Sequence, residues 1–395
     1  MPMDVFTSNR LGQELQREGM DAILTASLEN TYYLSGFYST SKKMTPSVRI
    51  YGLWAPEMDK PWLILPVCDL PSAYEAGVSL EQVICYGKFY FYSSEHCSAM
   101  VTAVQNAVME ACDDIGTALE ILLQKLPSNC RRLGLEYEGL LGDDLQNISA
   151  KCCKLQIKDG SVALKRARMI KSVYEVEALE RAAEVAEHAL METFQQLKEG
   201  MSEAEAANLY IQRVAAMGAQ PTFSVFTFGT RAAFVDTAAQ SVQYLREGDM
   251  IRADVGCSVR GYQADMSRTA VLGRPDDQIT TRFRAIYEGE QAAIQLACPG
   301  VAAKTLFQAA VGVVQDSGIS CYQRTHCGHG LGLNISEPPN IREDVSQVLE
   351  PGMVICIETP FYCLGWGGVQ VEDTLLITSS GHRMLTKTSA ELVLL

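Results

Sequence analysis

A weak internal repeat restricts the possible folds of this chain more than any single motif does. Two glycines and a valine recur at an offset of 100 residues, and the matching pairs are Gly200 and Gly300, Val214 and Val314, and Gly218 and Gly318. Each copy has the pattern of a helix that ends at a glycine, where left-handed backbone is needed. The C-terminal part of the chain is therefore predicted to consist of two similar halves.

A second repeated segment follows these helices and carries acidic residues. In both copies a glycine is followed six positions later by a carboxylate on an apolar strand, first from Gly248 to Asp254 and then from Gly352 to Glu358. The next strand of each copy carries one further acid, and these acids are Asp265 and Glu372. We therefore expect two helix, helix, hairpin halves that are related by a pseudo-two-fold axis.

Strand periodicity predicts that the acids of each hairpin share one face. Ile251, Ala253 and Val255 alternate with Asp254, and residues 369–373 are expected to form a similar strand with Gln370 and Glu372 on one face. Four carboxylates that converge in an apolar setting would repel one another and raise their own pKa values unless a cation compensates them. The pattern therefore favours a divalent metal site over four acids that face solvent.

A glycine-rich segment between the two halves adds a histidine. Its sequence is Arg324-Thr-His-Cys-Gly-His-Gly-Leu-Gly-Leu333, and its glycines allow the backbone to pass close to a neighbour. His329 can offer a neutral imidazole nitrogen, so we expect two divalent ions held by four carboxylates and one imidazole. This donor set favours manganese, cobalt, iron or zinc over magnesium or calcium. Such ions polarise a carbonyl group and lower the pKa of a bridging water toward ~7, which suits hydrolysis of a C–N bond.

Together these motifs resemble the pita-bread metallopeptidase superfamily, which contains methionine aminopeptidase, aminopeptidase P, prolidase and the creatinases. Asn30-Thr-Tyr-Tyr-Leu-Ser-Gly-Phe37 resembles the signature of the creatinase-type N-terminal domain, and Met169-Ile-Lys-Ser172 resembles the start of the catalytic domain. The resemblance implies an α+β fold, with a smaller α/β domain over residues 1–160 and a pita-bread catalytic domain over residues 161–395.

The resemblance also implies a role for each acid and for the histidine. Asp254 would chelate one metal ion, Asp265 and Glu372 would bridge both ions, and His329 with Glu358 would hold the second ion. Glu358 would also act as the catalytic proton shuttle for the bridging water. Manganese is the favoured metal, and the N-terminal domain leads us to expect a homodimer.

Several positions depart from the family pattern at expected substrate contacts. Asp236 and Ser336 stand where related peptidases carry histidines, and Gln370 stands where the proline-specific enzymes carry an arginine; all three are expected to bind substrate. Asp236 either binds a cationic group or caps a turn. His326 is a catalytic candidate that either supplies an alternative substrate contact or packs within its loop, and Trp366 either walls the substrate pocket or covers a core edge.

Composition narrows the partners and the location. The 395 residues include 47 Asp and Glu against 33 Lys and Arg, a formal net charge of −14, which disfavours nucleic acid and anionic membranes as partners. No apolar run approaches the ~20 residues that span a bilayer. The N-terminal sequence lacks the pattern of a secretory signal, and the thirteen scattered cysteines suit reduced thiols, so a cytoplasmic location is expected.

Three functions are compatible with these observations. The first is a dinuclear metal hydrolase of the aminopeptidase P and Xaa-Pro dipeptidase type, and the complete set of ligands favours it. The second is a creatinase-like or ectoine-hydrolase-like enzyme that opens a C–N bond in a small nitrogenous metabolite, and the altered residues at 236, 336 and 370 favour it. The third is a non-catalytic pita-bread protein that acts as a binding module, although such proteins usually lose ligands.

Overall fold

The chain divides into two compact units, Met1–Ala167 and Arg168–Leu395. The computed structural model describes residues 3–92 and 98–395. The domain boundary expected after residue 160 stays a prediction.

The N-terminal unit combines one sheet with short helices. Its strands are β1 (Ala22–Thr25), β2 (Tyr51–Trp54), β3 (Trp62–Pro66), β4 (Val83–Tyr86), β5 (Arg132–Leu135) and β6 (Gln156–Asp159). The helices that begin in this unit are α1 (Val5–Arg17), α2 (Leu28–Ser35), α3 (Thr40–Met44), α4 (Leu70–Glu75), α5 (Ala99–Met109), α6 (Ile115–Leu123), α7 (Asp144–Lys151) and α8 (Ser161–Met169). Among the described residues the strand order is β4-β3-β2-β1-β5-β6. Strands β1 and β2 are buried at every residue, as is typical of a sheet that is covered on both faces.

The segment that resembles the creatinase-type signature forms helix α2 and its turns. The Ser27 side chain caps the helix, and Asn30 Nδ2 donates a hydrogen bond to Glu136 Oε1 at 2.6 Å. The other oxygen of Glu136 accepts from the backbone N–H groups of Ala26 and Ser27. Gly36 ends the helix with φ 71°. The segment therefore fixes the turn after β1 to the residue that follows β5.

The C-terminal unit contains four longer helices and a large sheet. The helices are α9 (Val173–Phe194), α10 (Glu203–Ala216), α11 (Asp277–Leu296) and α12 (Ala303–Asp316). The strands are β7 (Gln220–Phe228), β8 (Met250–Val259), β9 (Tyr262–Val271), β10 (Gly328–Gly330), β11 (Glu337–Asn340), β12 (Val354–Glu358), β13 (Phe361–Cys363), β14 (Gly367–Val369), β15 (Glu372–Ile377), β16 (His382–Met384) and β17 (Val393–Leu394). Helices α9 and α10 each begin with a capping box, built by Ser172 with Glu175 and by Ser202 with Glu205.

The sheet of this unit has the two-fold arrangement that the repeat predicts. Within the described part of the chain its main order is β11-β10-β12-β15-β9-β8-β7. Strands β9 and β15 pair at the centre, and each is flanked by its hairpin partner, β8 or β12. The repeated glycines also make equivalent contacts: Gly200 N–H donates to Leu245 O at 2.8 Å, and Gly300 N–H donates to Leu349 O at 2.9 Å. Both glycines have positive φ angles, 83° and 87°.

The prediction of a continuous strand over residues 369–373 is wrong. Strand β14 ends at Val369 and β15 begins at Glu372, because the small hairpin β13–β14 is inserted between β12 and β15. At the break, Thr269 Oγ1 donates to Gln370 O and accepts from Gln370 N–H, both at 2.8 Å. The Thr269 side chain therefore makes the two hydrogen bonds to the Gln370 backbone that a neighbouring strand would make in a continuous sheet.

Candidate metal centre

Strand pairing places three acids in one row across the sheet. Asp254 on β8 lies opposite Ser267 on β9, and Ser267 lies opposite Glu372 on β15. Glu372 in turn lies opposite Glu358 on β12. Residues that oppose each other in neighbouring strands project to the same face. Asp265 precedes Ser267 by two residues on β9, so it projects to this face as well.

These acids line a cavity of about 500 Å³. Carboxylate oxygens of Asp254, Asp265 and Glu372 lie within 4.8 Å of one another. Asp265 and Glu372 are buried and Asp254 is half-buried. Glu372 Oε1 is buried and has no hydrogen-bond partner among the described residues. Because an unpaired buried oxygen is costly, the donor set and this orphan oxygen fit a bound cation.

The charges of the cluster are not balanced within the protein. Burial raises the pKa of Asp254 to about 6, although the Arg252 guanidinium opposes the change. Burial and the carboxylates of Asp254 and Glu358 raise the pKa of Asp265 well above its usual range. Burial and Asp265 have the same effect on the pKa of Glu372. A divalent cation bound between these carboxylates would oppose all three shifts, because it would stabilise their ionised forms.

His329 presents one ring nitrogen to the same site. It lies on β10 opposite Cys356 of β12, and its Nδ1 is 3.1 Å from Gly330 O. Donation to a carbonyl oxygen requires the proton on Nδ1, which leaves Nε2 as the atom that can bind a metal. Nε2 lies 3.6 Å from Asp265 Oδ2. Burial lowers the pKa of His329, which favours the neutral form of the imidazole that metals bind.

The glycines beside His329 are required by close packing of the backbone. Gly328 has φ 133°, and a Cβ atom there would collide with the carbonyl group of Cys356. A Cβ atom at Gly330 would collide with the carbonyl group of Pro338. These glycines therefore allow β10 to fit between β11 and β12 and so position the imidazole.

Glu358 contacts a histidine and an arginine in the same cavity. His326 Nε2 lies 2.8 Å from Glu358 Oε1, and Arg324 Nη2 donates to Glu358 Oε2 at 3.3 Å. Burial alone would raise the pKa of Glu358, but the hydrogen bond from His326 and the charge of Arg324 outweigh it and lower the pKa. Glu358 is therefore the acid of this row whose negative charge is offset by side chains of the protein, although it is not in the group of carboxylates within 4.8 Å of one another.

Gln370 lines the cavity and orients one of the acids. Its Nε2 donates to Asp254 Oδ2 at 3.1 Å, and its Oε1 accepts from Arg252 Nη1 at 2.8 Å and from the Tyr362 hydroxyl at 3.2 Å. Arg252 is fully buried. The glutamine therefore connects Asp254 to a buried guanidinium, in addition to the substrate contact that the sequence predicts for it.

The other expected substrate contacts divide between the cavity and its surroundings. Asp236 lines the cavity, and its backbone has φ 32°, an uncommon conformation for a residue other than glycine. Ser336 is exposed, and its neighbour Ile335 lines the cavity in its place. Trp366 is not among the lining residues; the Arg282 guanidinium lies 4.0 Å from its ring centre, and it packs near Phe361. The core-edge interpretation therefore fits Trp366 better than the pocket-wall interpretation.

Sequence reasoning gave no role to three residues at this site. Arg252 shares the strand face of Asp254, so the same two-residue periodicity could have identified it. Arg324 opens the glycine-rich segment and lines the cavity. Tyr362 also lines the cavity, but it lies on the inserted hairpin, for which the repeat gives no signal.

Comparison with known proteins identifies the family of each part of the chain. Residues 177–379 match the model of metallopeptidase family M24, and residues 8–170 match the Creatinase/Prolidase N-terminal domain. An Xaa-Pro dipeptidase of Pyrococcus furiosus is 33% identical over 274 residues, which cover 69% of this chain and 78% of the relative. The putative dipeptidase YkvY of Bacillus subtilis is 25% identical over 98% of this chain and 99% of the relative. The crystal structure of the prolidase from Pyrococcus horikoshii superposes with a TM-score of 0.80 at 27% identity, covering 98% of this chain and 99% of the other.

The chain belongs to metallopeptidase family M24 and carries the creatinase-type N-terminal domain. The family, the α+β two-domain fold and the assignment as a metal-dependent peptidase, all expected from the sequence, are confirmed. The non-catalytic alternative is therefore wrong. Membership implies divalent metal ions, for which the three-acid group is a candidate site. In the described residues no helix is both long enough and apolar enough to cross a membrane.

Proposed function

We propose that this protein is a dipeptidase that hydrolyses short peptides, including Xaa-Pro dipeptides, with two divalent metal ions. The observation that carries the proposal is the group of three carboxylates within 4.8 Å, one of whose buried oxygens is unpaired. The similarity to the Xaa-Pro dipeptidase of Pyrococcus furiosus supports the choice of substrate. The cavity of about 500 Å³ is within the size range of small-molecule sites.

The proposed ligands are the four acids and the histidine. Asp254, Asp265 and Glu372 would form one part of the site, and His329 Nε2 with Glu358 would complete it. Gln370 would hold Asp254 in orientation through its hydrogen bond to Oδ2. The metal ions supply Lewis acidity to the scissile carbonyl group and to an attacking water.

Proton transfer is assigned to Glu358 and His326. Their hydrogen bond of 2.8 Å joins Glu358 Oε1 to His326 Nε2, so a proton can pass between the two groups. Glu358 would accept a proton from the attacking water and return it to the leaving nitrogen. His326 is half exposed and lines the cavity, which would allow it to exchange protons with solvent.

A small nitrogenous metabolite is the second candidate substrate. The observation that favours it is Asp236, an acid that lines the cavity where related peptidases carry a histidine. A carboxylate at this place would suit a guanidinium or amidinium group, as in a creatinase-like or ectoine-hydrolase-like reaction. The preference for manganese, the homodimer and the cytoplasmic location stay predictions.

One experiment separates the candidates. The protein is purified without chelator, supplemented with manganese, and assayed against Xaa-Pro dipeptides, non-proline dipeptides and creatine. Cleavage of dipeptides that is lost in Asp265→Asn would support the proposal. Cleavage of creatine alone would favour the second candidate, and dipeptide cleavage that persists after complete metal removal would contradict the proposal.

A further inference from the structure

The charges that line the cavity do not cancel within the metal site alone. Five acids line the cavity: Asp236, Asp254, Asp265, Glu358 and Glu372. Under the proposed function, two divalent ions carry four positive charges and offset the last four acids. Among the described lining residues, this leaves one fixed negative charge at Asp236 and one fixed positive charge at Arg324.

The guanidinium of Arg324 is held in place and keeps donors free. Its Nε donates to His326 O at 3.1 Å, and its Nη2 donates to Glu358 Oε2 at 3.3 Å. Its Nη1 makes no hydrogen bond to any residue that the structure describes, and it is not a buried unpaired atom. The side chain is only 15% exposed. An arginine that is oriented by two contacts and has unused N–H groups is suited to bind a carboxylate.

Neither Gln370 nor Arg252 can supply this charge. Gln370 is neutral, and its oxygen already accepts from Arg252 and Tyr362. Arg252 is fully buried and does not line the cavity; its Nε donates to Ala232 O and its Nη2 donates to Phe234 O. Arg324 is therefore the arginine that remains available to a ligand in the described cavity.

Asp236 and Arg324 interact with different members of the acid group. The charge of Asp236 acts on Asp254 and Asp265, whereas Arg324 contacts Glu358. A zwitterionic ligand that extends across the group can therefore place its ammonium group near Asp236 and its carboxylate near Arg324.

We infer that Arg324 binds the C-terminal carboxylate of the substrate and thereby restricts the enzyme to dipeptides with a free carboxyl group. This inference rests on the proposed function and names the residue that selects the substrate class. A dipeptide amide would leave the free Nη1 donors without an anionic partner, because an amide carries no charge at that end. Longer peptides would place a neutral peptide bond at the same position.

The test compares one dipeptide with its C-terminal amide. Both substrates are assayed with the wild type and with Arg324→Gln, Arg324→Lys and His326→Gln, and the metal content of each protein is measured by elemental analysis. Arg284→Gln is the matched control, because Arg284 is an exposed residue of α11 that pairs with Glu288 at the surface.

The wild type is expected to prefer the acid over the amide in kcat/KM, and Arg324→Gln is expected to lose ~10- to 100-fold on the acid alone, the range for a lost charge-assisted hydrogen bond. The loss should be in KM, Arg324→Lys should restore part of it, and the control should keep the preference. If Arg324→Gln keeps both its metal and the full preference, or if only His326→Gln removes it, the inference is overturned. If the wild type cleaves neither substrate, the proposed function itself has failed.

Discussion

A buried ion cluster next to the glycine-rich segment provides a sharp test of the energetic reasoning. Glu337 on β11 accepts hydrogen bonds from Arg168 Nη2, from Lys171 Nζ at 3.5 Å and from Asn334 N–H at 3.0 Å. The side chains of Glu337, Arg168 and Lys171 are 5%, 6% and 1% exposed. Strand β11 pairs with β10, which carries His329. The buried cluster therefore stabilises the strand next to the proposed metal centre.

The substitution Glu337→Gln removes the charge and keeps the shape. Breaking a buried ion pair from one side costs about 3–5 kcal/mol, because the remaining charge is left without a partner. Glutamine keeps one oxygen that can accept from Asn334 N–H, so we expect a loss near the lower limit, about 3 kcal/mol. Since 1.36 kcal/mol corresponds to tenfold, the opening equilibrium should rise by ~100-fold. The matched control is Glu288→Gln, which breaks a surface pair with the exposed Arg284 that contributes about 0.3–0.5 kcal/mol. Glutamine keeps an oxygen that can accept the hydrogen bond from Ser317 Oγ.

Hydrogen exchange followed by mass spectrometry measures this opening for each unit separately, which a single unfolding curve of a two-domain chain does not. Peptides that contain β10 and β11 should exchange faster in Glu337→Gln, whereas peptides from residues 3–92 should be unchanged. Glu288→Gln should change exchange by about twofold at most. Equal, small effects of the two substitutions would refute the assignment of a large energy to the buried cluster.

Three further predictions concern the site and its pH dependence. Asp265→Asn should lower the bound metal and the hydrolysis together, and elemental analysis with a parallel assay would reveal full metal content if Asp265 is not a ligand. Asp236→Ala should raise KM for a cationic substrate about tenfold, as expected for a lost charge-assisted contact, and should leave the metal content unchanged. An unaltered KM would show that Asp236 only caps its turn. Burial opposes ionisation of Glu337, but Arg168 and Lys171 outweigh it and lower its pKa. A carboxyl group whose pKa is lowered in the folded state stabilises the fold at pH values above its ordinary pKa of 4.5, and this stabilisation is lost as the pH falls further. The stability of the wild type should therefore fall more steeply with acid than that of Glu337→Gln. Identical pH profiles of the two proteins would contradict this sign.

The repeat made the two-fold sheet predictable, because the same backbone conformation at equivalent positions of the two halves requires the same residue. Gly200 and Gly300 have positive φ angles and donate to equivalent carbonyl groups, so glycine is kept at both places. The convergence of the acids was also predictable. Strand alternation determines the face of each side chain, and hairpin pairing then sets Asp254 and Asp265 close together.

The partners of the acids were not predictable, because they come from distant parts of the chain. Gln370 lies between β14 and β15 and binds Asp254 and Arg252 of β8, and local periodicity carries no information about such contacts. The same holds for Glu358, whose contacts with Arg324 and His326 depend on how the glycine-rich segment packs. Trp366 stacks with Arg282 of α11, and only the tertiary fold brings that arginine to it.

Anomalous diffraction from crystals grown with manganese tests the central claim most directly. The account predicts two anomalous peaks in the cavity, both within bonding distance of Asp265 and Glu372, with His329 Nε2 bound to one of them. A single peak would contradict the dinuclear proposal. Peaks away from these carboxylates, or none at saturating manganese, would contradict the assignment of this cavity as the metal centre.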